Sequence, residues 1–302
     1  MDDSITVDGK TIHVTKPEKL LWPEAGISKR DYIEYLLAVS PYLLPYTKDR
    51  LLMMWRYPDG VGTKRIEEKA VPDFAPDWIP RAFYKDKHWI LLNDAATLAW
   101  VGNYAALELH VSFDRYWKKN YPTELVFDLD PADPVDFERV LEVALQLKAV
   151  LDSLSLVSVA KISGATDLQI YVPIDCRYTF EETRKINKFI AEYMARQNPR
   201  RITLERNVKK RGGKLYLDYL QLWKGRTMPA PYSVRTQARA TVSMPVTWGE
   251  VENGFAPSDF TIRNAVQRIR EKGDLFSPLT TDKHSYNQGL DEILSFLEAH
   301  RR

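Results

Sequence analysis

Between residues 124 and 218 the chain runs strand, helix, strand, strand, helix, strand, an order that only a few folds accommodate. "TELVFDLD" is an apolar stretch of strand length, and "PVDFERVLEVALQLKAVLDSL" repeats apolar residues at helical spacing. "VSVAKIS" and "LQIYVPI" read as two strands separated by "GATD". Thr179 with Glu182 forms a capping box, in which each side chain satisfies the other residue's backbone N–H, and so opens a helix through "EETRKINKFIAEYMARQ". "KLYLDYLQ" closes the series as a strand. This order predicts an α/β fold with a mixed or antiparallel sheet backed by helices, of the ferredoxin-like kind.

The flanking regions elaborate that core. "SITVDGKTIHVT" alternates around Asp8-Gly9, whose readiness for positive φ marks a hairpin turn. "PEKLLWPEAGISKRDYIEYLLAVSPYLLPYT" gives a loop and then a helix, with Ser28 as cap, Asp31 three residues on, and Tyr32, Ile33, Leu36 and Leu37 as its apolar face. "RLLMMWRYPDG" reads as a strand ended by a turn, and the Pro-rich "AVPDFAPDWIPRAFY" as loop. A helix is expected after Asp94, followed by a short strand "LELHVSF", and "FTIRNAVQRIREKGD" is expected to be helical. No repeat or low-complexity linker interrupts the chain. Residues 1–302 therefore read as one catalytic domain, with an N-terminal elaboration to about 90 and a core from about 91 to 275.

Composition excludes several classes. With 44% hydrophobic and 28% charged residues the chain is neither disordered nor fibrous, and no run reaches the roughly 18 apolar residues of a membrane span. Cys176 is the only cysteine, which rules out an intramolecular disulfide and a cysteine-based zinc site. A reducing cytoplasm is expected, with no visible export signal. The formal charge is only +2, yet "RRITLERNVKKRGGK" carries seven Lys or Arg against one Glu, so an anionic partner is expected.

"FDLD" sets two acids inside an apolar strand. Alternate residues share a face, so Asp128 and Asp130 project together while Phe127 and Leu129 enter the core. Like charges this close raise each other's pKa unless a cation lies between them, and oxygen donors suit Mg²⁺ or Mn²⁺. Asp218 in "LYLDYLQ" is a candidate third ligand. Three acids holding two ions suit phosphoryl transfer. Taken alone, Asp-x-Asp is common, Asp130-Pro131 could simply end a strand, and Asp218 could be an edge-strand acid.

The order of these phrases resembles the polymerase domain of the bacterial and archaeal DNA ligase D family, within the archaeo-eukaryotic primase superfamily. "FDLDP" matches the family's Asp-x-Asp motif, "ISGATDLQIYVPI" stands in its Ser-Gly segment, and "KLYLDYLQ" matches its third-aspartate strand. "PEKLLWPEAGISK", "RYPDGV", "APDWI", "LELHVSF" and "RTMPAPYSVR…ATVSMPVTWGEV" agree in the same order, covering most of residues 10 to 265. Most members are fused to ligase and nuclease domains, whereas this sequence is a polymerase unit alone, resembling a stand-alone member or an excised domain.

The resemblance implies a primase-polymerase fold with a ferredoxin-like or RRM-like core, and a repair polymerase of non-homologous end joining that accepts ribonucleotides readily. Asp128, Asp130 and Asp218 would hold two Mn²⁺ or Mg²⁺ ions, with Asp218 serving the one that activates the primer 3′-hydroxyl. Ser163 and the Gly164 backbone would contact the triphosphate, Arg226 and Arg235 would neutralise it, His110 would face the sugar, and Gln221 would line the nucleotide pocket. Arg211 would place the template or primer terminus. Lys19 and Lys29 would grip a downstream 5′-phosphate, with Arg56, Lys64 and Arg65 as further DNA contacts. Implied partners are gapped or broken DNA bearing a 5′-phosphate, NTP or dNTP, a Ku-type protein and an ATP-dependent DNA ligase, at the nucleoid.

Two departures stand out. Asp167 and Gln169 replace the family's second Gly and its usual His, although Gln169 still offers an amide donor. The loop "VGTKRIEEK" has no aromatic before Phe74 to stack on template, a role Arg65 could take. A catalytically weak module that binds and bridges DNA ends is therefore the competing expectation. Phosphodiester hydrolysis ranks behind both, because no histidine or glutamate suited to water activation stands near "FDLDP".

Overall fold

A computed structural model describes residues 3–133, 136–280 and 289–300. The chain divides into two compact units, Met1–Trp117 with Thr227–Met244 and Ser258–Asp274, and Lys118–Arg226 with Pro245–Pro257 and Leu275–Arg302.

The chain opens on the hairpin of β1 (Asp3–Val7) and β2 (Lys10–Val14), turning at Asp8 and Gly9 with φ of 49° and 71°. The short pair β3 (Leu20–Trp22) and β4 (Ile27–Ser28) leads into α1 (Lys29–Thr47), where Ser28 and Asp31 form the expected capping box. Tyr32, Ile33 and Leu36 are buried and Leu37 is half-buried, and the Tyr32 hydroxyl donates to the Ala106 carbonyl at 2.7 Å. β5 (Arg50–Arg56) pairs with β6 (Ile66–Glu68). The Pro-rich stretch is not loop throughout: β7 (Arg81–Tyr84) pairs with β8 (Lys87–Ile90). Their turn residues Lys85 and Asp86 adopt φ of 47° and 63°, a conformation usually signalled by Asn-Gly.

Asp94 caps α2 (Ala95–Asn103), and β9 (Ala106–Arg115) follows. That strand is ten residues long rather than short, and it is buried from Ala106 to Asp114 without alternation. β9 is central because both its edges are paired, with β5 and with a strand supplied from residues 227–229.

The second unit carries the predicted series. β10 (Glu124–Asp130), α3 (Phe137–Ser153), β11 (Val159–Ile162), β12 (Leu168–Pro173) and α4 (Phe180–Gln197) precede β13 (Ile202–Thr203) and β14 (Leu215–Asp218). Residues 134 and 135, where the helix reading began, lie outside the described residues. Thr179 and Glu182 form the expected box on α4, whose Asn187 amide donates to the Val126 carbonyl at 3.1 Å. The order across the sheet is β14-β10-β12-β11, all antiparallel, which is the ferredoxin-like arrangement. β13 extends it in parallel beside β14, making the sheet mixed.

The remaining chain adds β15 (Thr227–Pro229) to β9, and β16 (Pro245–Val246) to β11. α5 (Trp248–Asn253) is opened by a Thr247–Glu250 box, and α6 (Ile262–Lys272), within the stretch read as helical, ends at Gly273. α7 (Leu290–Ala299), unread in the sequence, packs on α4 through Phe189 and Phe296 with ring centroids 5.9 Å apart. It enters at Gly289, φ 95°, where an added Cβ would collide with the Leu154 carbonyl oxygen. Among the described residues no helix is long and apolar enough to cross a membrane.

Candidate active site

Strand register builds a polar row across the second unit's sheet. Asp128 on β10 lies opposite Asp218 on β14 and opposite Gln169 on β12, and Gln169 in turn lies opposite Lys161 on β11. Directly paired residues share a face, so Asp218, Asp128, Gln169 and Lys161 line up over four strands. Phe127 and Leu129 are fully buried on the other face.

Lys161 is 0% exposed, and its ammonium donates to Gln169 Oε1 at 2.6 Å. With its oxygen so engaged, Gln169 turns its amide N–H to the carboxylate of Asp128. Asp128 Oδ1 is sealed from solvent and has no hydrogen-bond partner. Burial, followed by the charges of Asp167, Asp218 and Asp130, holds the Asp128 carboxyl well above the usual carboxylate range, against the opposing hydrogen bond from Gln169.

A sealed carboxylate oxygen without a hydrogen-bond partner, among like charges, is a donor that would fit a cation. The oxygen-only donor set of Asp128, Asp130 and Asp218 fits Mg²⁺ or Mn²⁺. Among the described residues, however, no group of three or more His, Cys, Asp or Glu is gathered closely enough to hold an ion as it stands. Asp130 Oδ2 is taken by Arg211 Nη1 at 2.7 Å, while Asp218 Oδ1 accepts from the Leu220 N–H at 2.7 Å and the Tyr216 hydroxyl at 3.0 Å. Arg211 is itself held in place over the Tyr216 ring at 4.3 Å and donates to the carbonyls of Glu205 and Arg206.

The turn after β11 places Ser163 and Gly164 beside this row. Gly164 takes φ 80°, and the buried Ser163 hydroxyl accepts from the N–H groups of Ala165 and Asp167 at 3.1 and 3.2 Å. Asp167 Oδ1 accepts from the Thr166 hydroxyl at 2.6 Å. Further along the unit, Arg226 Nη1 donates to Gln221 Oε1 at 3.2 Å.

The first unit gathers a second cluster. His110 on β9 and Arg235 both meet Glu108, with His110 Nε2 at 3.0 Å and Arg235 Nε at 3.1 Å from its Oε2. The His110 ring stacks on Trp55 at 4.8 Å, and the exposed Arg65 lies over Trp55 at 4.1 Å. Arg56 sits 3.2 Å above the Tyr104 ring and is paired with Glu68 at 3.1 Å, while Lys64 is exposed. Lys19 and Lys29 are joined through their backbones, the Lys29 N–H donating to the Lys19 carbonyl at 2.9 Å. Their side chains have different partners. Lys19 pairs with the exposed Asp59 at 2.7 Å, whereas Lys29 is buried and donates to the Thr15 carbonyl at 2.6 Å and to Asn103 Oδ1 at 3.4 Å.

Sequence reasoning passed over Glu108, Trp55 and Lys161. Each carried a signal: Glu108 is two residues from His110 and so shares its face, Lys161 is a lone charge in an apolar strand, and Trp55 supplies the aromatic that the following loop lacks.

Fold and comparison agree on the class, a domain of primase-polymerase type. The chain belongs to the family described as "LigD, primase-polymerase domain", which matches residues 28–276. It is 39% identical over 264 residues to the bifunctional non-homologous end joining protein LigD of Bacillus subtilis, covering 87% of this chain and 43% of that one. Identity to the multifunctional LigD protein of Mycolicibacterium smegmatis is 30% over 279 residues, 90% of this chain and 36% of that protein. The chain thus spans well under half the length of these relatives. A solved structure, the polymerase domain of Mycobacterium tuberculosis Ligase D in complex with DNA, is similar with a TM-score of 0.84 at 29% identity, covering 90% of this chain and 99% of that one.

Proposed function

We propose that this chain is a template-directed repair polymerase that fills short gaps and extends broken ends during non-homologous end joining. The observation that carries the proposal is the in-register row of acids with its unpartnered Asp128 oxygen, set on the sheet of a primase-polymerase family member. Asp128, Asp130 and Asp218 would hold two divalent ions, Mn²⁺ or Mg²⁺. Bound there, such ions supply charge for an attacking 3′-hydroxyl and a departing pyrophosphate.

The chain's own residues do the rest. Gln169, fixed by Lys161, orients Asp128. For Asp130 to serve as a ligand, Arg211 must release it, which suits a residue assigned to the primer or template terminus. Ser163 and Gly164 form the turn assigned to the triphosphate, Arg226 and Arg235 neutralise its charge, His110 meets the sugar, and Gln221 lines the pocket. Lys19 carries the 5′-phosphate role with its ammonium near the surface, and Lys29 supports it from within. Arg56, Lys64 and Arg65 are the remaining DNA contacts, with Trp55 beneath Arg65 as an aromatic platform. Ribonucleotide use, residence at the nucleoid, and work beside a Ku-type protein and an ATP-dependent ligase belong to the same proposal, as does the reading of residues 1–302 as one catalytic domain.

The Arg211–Asp130 ion pair favours a second reading, a weakly catalytic module that bridges DNA ends. Primer extension on a gapped duplex bearing a 5′-phosphate, with Mn²⁺ and NTPs or dNTPs, separates the two. The polymerase reading expects extension by wild type and none by an Asp128→Ala, Asp130→Ala double variant. Absence of extension from both, with DNA binding retained, would establish the bridging module instead.

A further inference from the structure

We infer that Glu108 is a positioning residue for nucleotide binding, aligning His110 and Arg235 from beneath; this rests on the polymerase reading above. Glu108 is 2% exposed on the central strand β9, and its two oxygens take four contacts. Oε2 is 3.0 Å from His110 Nε2 and 3.1 Å from Arg235 Nε. Oε1 accepts from the Thr236 N–H at 3.0 Å and the Thr236 hydroxyl at 2.7 Å. Because that hydroxyl has one proton and spends it on Glu108, the Tyr57 hydroxyl, 3.3 Å away, must be the donor in its contact with Thr236. Burial pushes the Glu108 carboxyl upward, but the His110 hydrogen bond, the charges of Arg235 and His110 and the Thr236 hydroxyl outweigh it, and Glu108 titrates at about 2.

An ionised, fully engaged carboxylate dictates what its neighbours present. His110 must carry its hydrogen on Nε2, and the Trp55 stack fixes the ring plane. Nδ1 is then the ring nitrogen not committed to Glu108. Arg235 is held on both sides of its Cα, since its N–H donates to the Thr241 carbonyl at 2.7 Å and its carbonyl accepts from Trp22 Nε1 at 3.0 Å. Its Nε lies 3.1 Å from Glu108 Oε2 without hydrogen-bond geometry, so Glu108 anchors the guanidinium by charge. One acid thereby sets the imidazole tautomer and holds the guanidinium charge beside it.

A purely structural counter-ion would affect folding alone, so the test reads orientation and binding separately. In wild type, ¹⁵N correlation spectra should show His110 protonated on Nε2; a ring protonated on Nδ1 alone would overturn the inference without any variant. Glu108→Gln keeps the shape but turns an N–H₂ toward one of the donors, and should raise KM for NTP about tenfold with a much smaller change in kcat, while shifting the His110 ring signals. Glu108→Asp, which keeps the charge, should recover part of the KM. A folded Glu108→Gln protein with unchanged KM and unchanged His110 signals would overturn the inference alone. A wild type that extends no primer would instead overturn the polymerase reading, before any variant is compared.

Discussion

Glu108 in the first unit and Asp128 in the second are both acids embedded in central strands, and they are in opposite conditions. Glu108 is met by a histidine, an arginine and a threonine, and its carboxyl is held down to about 2. Asp128 is met by Asp130, Asp167 and Asp218, keeps one oxygen without a partner, and is pushed well above the carboxylate range. The first is a completed electrostatic unit; the second is half of one. The contrast separates an acid whose charge is satisfied within the fold from one whose neighbours share its charge.

The largest effect expected from this contrast is on catalysis. Asp128→Ala should lower primer extension by more than about a hundredfold, the scale of losing a major charge-stabilising group, while leaving thermal stability equal or higher because a buried like-charge repulsion is relieved. A loss of stability in Asp128→Ala, read by thermal melting, would break the comparison. Glu108→Ala should do the opposite on the stability axis. It strands His110 and Arg235 beside an empty site, and denaturant unfolding should show a loss of about 3 to 5 kcal/mol.

The pH dependence of stability should also divide. Glu108 falls from its ordinary value of 4.5 to about 2 on folding, so its contribution is present above 4.5 and is lost as pH drops from there toward 2, in all about 3 kcal/mol. Asp128 is raised on folding, so its contribution is full in acid and is lost as pH rises through the folded value. Unfolding curves from pH 2 to 7 on metal-free protein should therefore flatten at the acid end in Glu108→Gln and at the neutral end in Asp128→Asn. The smallest effect is at the surface. Lys19→Ala should reduce the preference for 5′-phosphorylated gaps a few-fold in DNA-binding titrations and leave melting unchanged, since its pair with Asp59 is exposed.

What was legible in the sequence followed from local rules. The capping boxes at Ser28 and Thr179, the Asp8-Gly9 turn and the βαββαβ series are written in neighbouring residues, and alternation put Asp128 and Asp130 on one face. What was not legible depended on partners distant in the chain. Glu108 draws its meaning from residues 235 and 236, and Lys161 from the register that sets Gln169 between it and Asp128. Lys29 resembled a surface cation at a helix start until the fold turned it onto Thr15 and Asn103. The β7–β8 hairpin was hidden because Lys85 and Asp86 take positive φ without the usual turn residues.

The most direct measurement is a Mn²⁺ binding isotherm on wild type and on Asp128→Asn, the isosteric change that removes the charge and fills the unpartnered oxygen's place with an amide. Wild type should bind Mn²⁺, and Asp128→Asn should bind it about tenfold or more weakly, with both proteins folded. Equal affinity in the two would contradict the proposal that Asp128 is a cation ligand.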